Sequence, residues 1–352
     1  MNGIIINEKF FSKSDIAILA ASCAINDSEK AIFNFLDEWF SEDDHIELQT
    51  SGSMGIPKTI EMSKTAMIES ARRTINFFEL KLGMSALLCL PTSYIAGKMM
   101  IVRAIVGHLN LVTTAPSGHP IQTLDCTVDF AAFTPMQMLN ALEIDDNPKL
   151  RLLRKVIVGG APINSILANK LQKQTFDVYE TYGMTETVSH IALKKLNGTG
   201  VQHSFFPLAG ITVLLNEDGC IVIKQTNTDT IVTNDIGEIL PDGSFRILGR
   251  ADNVINSGGV KIQPEKVESA IASHLNGLFY VSSVPDSLLG EKVVLVIDTP
   301  VEHPDRLLMQ LKKILPKYEV PTSIYCVKNF PITVSGKIQR KELKKMLLRI
   351  QS

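Results

Sequence analysis

The segment Leu48–Thr59 reads LQTSGSMGIPKT, and its residue types are those that bind phosphate. Gly52 and Gly55 let consecutive backbone N–H groups curl into a concave anion nest. Thr50, Ser51 and Ser53 add hydroxyl donors, and Lys58 adds positive charge. The spacing is not that of the usual P-loop, because no Gly-Lys-Ser/Thr closes the run. By itself the segment reads equally well as a Ser/Gly turn. Three further segments bear on the choice: VYETYGMTET at Val178–Thr187, GRADNVINSGGVKIQPEKVE at Gly249–Glu268, and SGKIQRK at Ser335–Lys341. Taken singly, Glu186 is a solvated carboxylate, Tyr182 a core aromatic at a strand end, Gly159-Gly160 a tight turn and Lys337 a solvated lysine.

In this order and at these separations the four segments resemble the motifs of the adenylate-forming superfamily: acyl- and aryl-CoA synthetases, luciferases and peptide-synthetase adenylation domains. The resemblance covers roughly residues 45–345 and is nearest to the o-succinylbenzoate–CoA ligases of menaquinone biosynthesis. It implies an AMP-forming acid–CoA ligase that takes ATP, Mg²⁺, CoA and an aromatic carboxylic acid. Such an enzyme converts a carboxylate into an acyl-adenylate, which the CoA thiol then attacks. Bringing a carboxylate to the α-phosphate crowds negative charge, so cations and donors aimed there are the chemistry required.

The same resemblance implies roles. Thr50, Ser51, Gly52, Ser53, Gly55 and Lys58 cradle the β- and γ-phosphates. Thr185 contacts phosphate and Glu186 holds Mg²⁺, a hard cation suited to oxygen ligands. Gly159, Gly160 and Ala161 form a turn that adenine and the acyl group approach, and Tyr182, just before Gly183, stacks on adenine. Asp235 takes the ribose hydroxyls, although Thr-Asn-Asp stands here where the family usually has Thr-Gly-Asp. Arg250 is the second ribose and phosphate contact. Lys337 serves adenylation and withdraws before CoA enters, by rotation about Asp252; Gly258 and Gly259 then face the pantetheine channel. The acyl pocket is implied at Tyr94 and Gly97, with Tyr94 in the place of a family histidine. Arg103, on the following helix, matches the arginine that grips a distal carboxylate; read without the family it is a surface arginine.

The elements that must hold these residues follow from patterning. Short apolar runs alternate with helical segments between about residues 84 and 185: strands at Ala86–Leu90, Leu109–Thr113, Phe130–Thr134 and Val156–Val158, helices at Ile95–Gly107, Pro135–Leu142 and up to Gln172. Such alternation predicts an α/β domain with a mostly parallel sheet. Strands at Cys220–Lys224, Thr230–Thr233, Glu238–Leu240 and Ser244–Leu248, with the pairs Asp218-Gly219 and Asp242-Gly243 beside them, predict an antiparallel part. Beyond Arg250 a helix from Pro264 to His274, strands at Phe279–Val284, Lys292–Asp298 and Ser323–Val327, and helices at Pro304–Leu315 and from Gln339 make a small α+β unit. The expected division is an AMP- and acyl-binding domain over residues 1–249, a hinge at 250–252 and a mobile α+β domain over 253–352. About fifty residues precede the Ser/Gly-rich loop, where the family carries well over a hundred. A shortened N-terminal subdomain is therefore expected, with its open face either closed by the remaining sheets or covered in a homodimer.

Bulk properties narrow the class. The 352 residues carry a formal net charge of -2, which gives no electrostatic footprint for nucleic acid or an anionic membrane. Five cysteines (Cys23, Cys89, Cys126, Cys220, Cys326) lie far apart without C-x-x-C spacing and are expected to be unpaired buried thiols in a reducing cytosol. The apolar stretch Ile16–Ala24 is shorter than the ~20 residues that span a bilayer, so a cytoplasmic protein without membrane insertion is expected. Other functions share the motifs: a ligase for another aryl or acyl acid, an adenylation enzyme that loads a carrier protein, or a non-catalytic relative.

Overall fold

The computed structural model describes residues 3–22, 26–49, 59–144, 146–225, 229–275, 277–331 and 338–351. Of the expected site residues, Thr50, Ser51, Gly52, Ser53, Gly55, Lys58 and Lys337 lie outside them. The chain divides into two compact units, residues 1–212 with 224–231, and residues 213–223 with 232–352.

The first unit runs β1 (Gly3–Ile6), β2 (Lys9–Ser12), α1 (Lys13–Ala21), α2 (Asp27–Phe40), β3 (His45–Gln49), β4 (Thr59–Ser63), α3 (Lys64–Phe77), β5 (Ser85–Leu88), α4 (Ile95–Gly107), β6 (Asn110–Thr113) and β7 (Val128–Phe133). It continues through α5 (Pro135–Glu143), β8 (Leu153–Val158), α6 (Ser165–Leu171), β9 (Asp177–Gly183), β10 (His190–Lys195) and β11 (Phe206–Pro207). Nine strands form one sheet in the order β11-β10-β9-β8-β7-β5-β6-β1-β2. From β9 to β1 the pairing is parallel, and antiparallel strands edge it on both sides. Alternate residues face opposite sides. Ala131, Val156 and Val178 enter one core with α5 and α6. Phe130 and Tyr179 face the other side, where the Phe78 ring meets the first at a tilt and the second edge-on, both with centroids 5.1 Å apart.

Strand order reverses at β5: the chain passes through α4 to β6 on one side, then crosses to β7 on the other. In open α/β sheets the carboxyl ends at such a reversal make the ligand crevice. Here those ends carry Pro91–Gly97, Gly159–Ala161 and Tyr182–Glu186, the segments singled out from sequence. The Ser/Gly-rich loop joins β3 to β4, which pair from His45↔Ser63 to Gln49↔Thr59. Lys98 of α4 pins that hairpin, donating to the Glu47 carbonyl at 3.1 Å while bridging Glu38 at 3.4 Å and lying over the Phe35 ring.

The second unit holds most of a sheet in the order β12 (Ile211–Leu215), β13 (Cys220–Gln225), β14 (Ile231–Ile239) and β15 (Phe245–Arg250). Thr230–Thr233 and Glu238–Leu240, expected as two strands, belong to the single strand β14. Thr233 Oγ1 accepts from the Asp235 N–H at 3.0 Å, and the register shift at Ile236/Gly237 absorbs the irregularity. There follow β16 (Ile255–Ser257), β17 (Val260–Ile262), α7 (Pro264–Ile271), β18 (Phe279–Asp286), β19 (Gly290–Ile297), α8 (Pro304–Leu311), β20 (Ile324–Cys326) and α9 (Arg340–Gln351). Val281, Val293 and Leu295 face α7 and α8, and Tyr280, Val294 and Val296 face α9. The division between the two compact units falls within β12, between Thr212 and Val213, and β15 goes with α7, so close that a Cβ on Gly249 would lie 2.6 Å from Glu265 Oε2. Cys89 and Cys220 are buried as expected, whereas Cys126 and Cys326 are exposed; all four are free. Among the described residues no helix is long and apolar enough to cross a membrane.

Gly97 shows how tightly α4 is seated. It is buried, and a Cβ there would lie 2.3 Å from the Pro91 carbonyl oxygen, a backbone atom that cannot swing aside. Gly97→Ala should therefore destabilise the first unit by about 1–3 kcal/mol, the usual cost of overpacking. Urea unfolding followed by circular dichroism checks this; an unchanged midpoint contradicts the seating.

Candidate active site

The loop after β9 is built by one hydroxyl. Thr187, fully buried, accepts from the Met184 N–H at 2.9 Å and lies 3.0 and 2.7 Å from the Met184 and Ser189 carbonyl oxygens. Val188 closes the turn with its N–H on the Thr185 carbonyl, at φ +70. A β-branched residue in that region is strained, so the surrounding bonds must hold the loop in place. Thr185 is thereby half-buried at the tip and Glu186 exposed beside it. Gly183 permits the close return of the chain, since a Cβ there would lie 2.3 Å from the Ser189 oxygen. It sits opposite His190 in the β9–β10 ladder.

Gly159 and Gly160 follow β8 on the neighbouring strand. A Cβ on Gly159 would collide with Thr181 Oγ1 at 1.9 Å, and Gly160 has φ +85 with nothing within 4 Å of an added Cβ. With half-buried Ala161, the turn is a shelf of bare backbone facing open space. Tyr182 is 7% exposed and packs on Phe205 with centroids 6.0 Å apart, which is the placement of a strand-end core aromatic. Tyr94 is 45% exposed at the start of α4.

Arg103 is not a surface residue. It is 1% exposed in the middle of α4, and its Nη2 donates to Ser189 Oγ at 2.8 Å. Its Nε is buried without a partner, and among the described residues no carboxylate forms a salt bridge with it. Burial pulls its pKa down to about 10, so the guanidinium remains charged at neutral pH. A buried cation lacking a counter-charge is costly, several kcal/mol even after relaxation. An anion brought by a ligand would relieve that cost.

In the second unit Asp235 and Arg250 face each other across β14 and β15 and pair at 3.2 Å, while Arg250 Nε also donates to Asp252 at 3.0 Å. The two ribose residues expected from sequence are thus brought together, and Asp252 joins them through Arg250. Gly258 and Gly259, with φ +58 and +83, form the two-residue turn between β16 and β17.

Comparison with known proteins identifies the class. The AMP-binding enzyme family matches residues 16–246. The chain belongs to that family. A solved acyl-CoA synthetase (AMP-forming)/AMP-acid ligase II-like protein from Dyadobacter fermentans is 36% identical, covers 96% of this chain with 99% of its own, and superposes with a TM-score of 0.65. The 2-succinylbenzoate–CoA ligases of Haemophilus influenzae and Escherichia coli are 28% and 27% identical, covering 84% and 86% of this chain and 69% of their own length. The o-succinylbenzoate CoA synthetase of Bacillus subtilis, solved with ATP and magnesium, shares the fold at 24% identity and a TM-score of 0.72.

As a member of the AMP-binding enzymes, the chain is an adenylate-forming enzyme, and its residues fit ATP and Mg²⁺. Exposed Gly160, with nothing within 4 Å of an added Cβ, leaves room for a ring or phosphate against its backbone. Glu186 offers exposed oxygen donors, and no group of three His, Cys, Asp or Glu among the described residues could hold a metal. A single carboxylate suits Mg²⁺, which keeps water and substrate oxygens as its other ligands. Sequence reasoning gave no role to Thr187, the last residue of the YGMTET motif, or to Ser189 and His190 just beyond it; a Ser-His pair one residue after the motif was the available signal.

Thr187→Val should leave the Met184 N–H, and the carbonyl that takes the single hydroxyl proton, without their partner, costing about 1–3 kcal/mol of stability and slowing adenylate formation. Thr187→Ser should retain both. Pyrophosphate release and thermal unfolding measured together check this, and a fully active, equally stable valine variant contradicts it.

Proposed function

We propose that this AMP-binding enzyme activates o-succinylbenzoate with ATP and transfers the acyl group to CoA, releasing pyrophosphate and AMP, a step of menaquinone biosynthesis in the cytoplasm. The observation that carries the substrate is Arg103, a buried guanidinium with no carboxylate partner among the described residues, tied to the loop that bears Thr185 and Glu186. o-Succinylbenzoate has two carboxylates, and the succinyl one reacts. The aryl carboxylate must be held without reacting, and a guanidinium holds it through parallel hydrogen bonds. The curated relatives named for this substrate support the same reading.

The residues then divide the labour. Bound Mg²⁺ supplies charge that offsets the phosphates, with Glu186 as its protein ligand. Thr185 donates to phosphate, Gly159–Ala161 and Tyr182 border the adenine, and Asp235 takes the ribose hydroxyls with Arg250 beside it. We assign Thr50, Ser51, Gly52, Ser53, Gly55 and Lys58 to the phosphate cradle and Lys337 to the attack on the α-phosphate. Rotation about Asp252 withdraws Lys337 and turns Gly258 and Gly259 to the CoA thiol's path.

Arg103→Ala should leave the KM for ATP unchanged and weaken use of o-succinylbenzoate by about 2–5 kcal/mol, the range for truncating one partner of a buried charge pair. Benzoate, a monocarboxylate, should be a poor substrate for the parent enzyme and lose little in the variant. Pyrophosphate release over an acid panel, with and without CoA, gives the comparison. Equal modest losses for both acids overturn the substrate assignment, and activity with a carrier thiol in place of CoA overturns the acceptor.

A further inference from the structure

Arg103 does not stand alone. It ends a line of buried polar groups drawn from α3, β10, the loop before it and α4. Thr74 Oγ1 donates to the Ser70 carbonyl at 3.3 Å, which leaves its lone pairs to accept from His190 Nε2 at 3.2 Å. The His190 proton is then on Nε2, so Nδ1 is an acceptor and meets Ser189 Oγ at 3.4 Å. With its proton directed to Nδ1, Ser189 Oγ offers a lone pair to Arg103 Nη2 at 2.8 Å. Every donor points one way, from guanidinium to hydroxyl to imidazole to hydroxyl to carbonyl. The order requires a neutral imidazole, because a second proton on Nδ1 would face the Ser189 hydroxyl. Burial holds the His190 pKa well below its ordinary value, and the nearby Arg103 and Arg73 charges lower it further. Ser70, Thr74, Arg103 and His190 are all buried.

We infer that His190 is a positioning residue for substrate selection: through Ser189 it fixes the rotation of the Arg103 guanidinium, so that the unpartnered Nε edge is presented to a second carboxylate on the substrate. The role depends on Arg103 binding that carboxylate. Rotation matters because a bidentate grip needs two N–H groups aligned with two oxygens, whereas a freely turning guanidinium would lose that alignment. The same line ties the acid's second carboxylate to Gly183, which pairs with His190, and so to the loop that handles ATP. The reactive end of the acid and its distal anchor are registered on one strand pair.

Steady-state kinetics on the full chain test this. His190→Phe should raise the KM for o-succinylbenzoate about tenfold, the worth of about one hydrogen bond, with kcat and the KM for ATP close to the parent. His190→Gln, whose carboxamide can accept from Ser189 and donate to Thr74, should restore most of the affinity. Ser189→Ala, which cuts the line without altering the core ring, should repeat the phenylalanine result even if His190→Phe folds poorly. Arg103→Ala measured alongside separates the two levels. If that variant distinguishes o-succinylbenzoate from benzoate but the His190 and Ser189 variants do not, the positioning role is overturned and the substrate reading stands. If Arg103→Ala makes no distinction, the substrate reading itself falls. Losses of equal size for both acids and for ATP in His190→Phe, without rescue by glutamine, mean that His190 only fills space and overturn the inference.

Discussion

A charged guanidinium buried with no counter-ion among the described residues is the constraint around which the first unit is arranged. Arg103 lies inside the fold on α4, and among the described residues its hydrogen-bond partner is a neutral hydroxyl, that of Ser189. Evolution of a purely structural position would favour an apolar residue of the same volume, since removing a buried charge often stabilises. Retaining the charge makes sense where a ligand completes the pair. On the proposed reading the free protein is less stable than it could be, and binding of the substrate's second carboxylate recovers the deficit.

The rest of the unit serves to hold that charge at the right place. α4 is buried from Met99 to Ile105 and is seated against the Pro91 carbonyl through Gly97, which fixes Arg103 along the helix axis. Lys98, one residue on from Gly97, fastens the β3–β4 hairpin whose connection is the Ser/Gly-rich loop. On the other side, Ser189 and His190 link α4 to the end of β9 at Gly183 and so to the loop that bears Thr185 and Glu186. The reversal of strand order at β5 is what brings these carboxyl ends to one rim. In the second unit the same economy appears on a smaller scale: Arg340 grips Glu268 with both ends of its fork, anchoring the helix that follows Lys337 in the chain.

How much of this was legible in the sequence depended on range. Local patterns read well: the Ile95–Gly107 helix was bounded correctly because its apolar run ends at His108, which takes the left-handed conformation. The βα alternation gave the parallel sheet, and the motif order gave the family. Strand β14 was split in two because Asn234-Asp235 and Gly237 look like breakers. In fact Thr233 bridges the first, and Gly237 is required where a Cβ would meet Ile221 at 2.7 Å. Burial of Arg103 was not legible, since it follows from contacts 86 residues away, and the Thr74–His190 bond spans 116. No window along the chain contains those pairs. The packing of α7 on β15 likewise grouped the antiparallel sheet with the C-terminal part, which no linker composition announced.

The most direct measurement is a crystal structure of the enzyme with a non-hydrolysable analogue of the o-succinylbenzoyl-adenylate. The account predicts an aryl carboxylate oxygen at hydrogen-bond distance, about 2.7–3.2 Å, from Arg103, with Nε newly paired and the bond to Ser189 kept. A carboxylate held elsewhere, with Arg103 bonded to Ser189 alone as in the free protein, would contradict it.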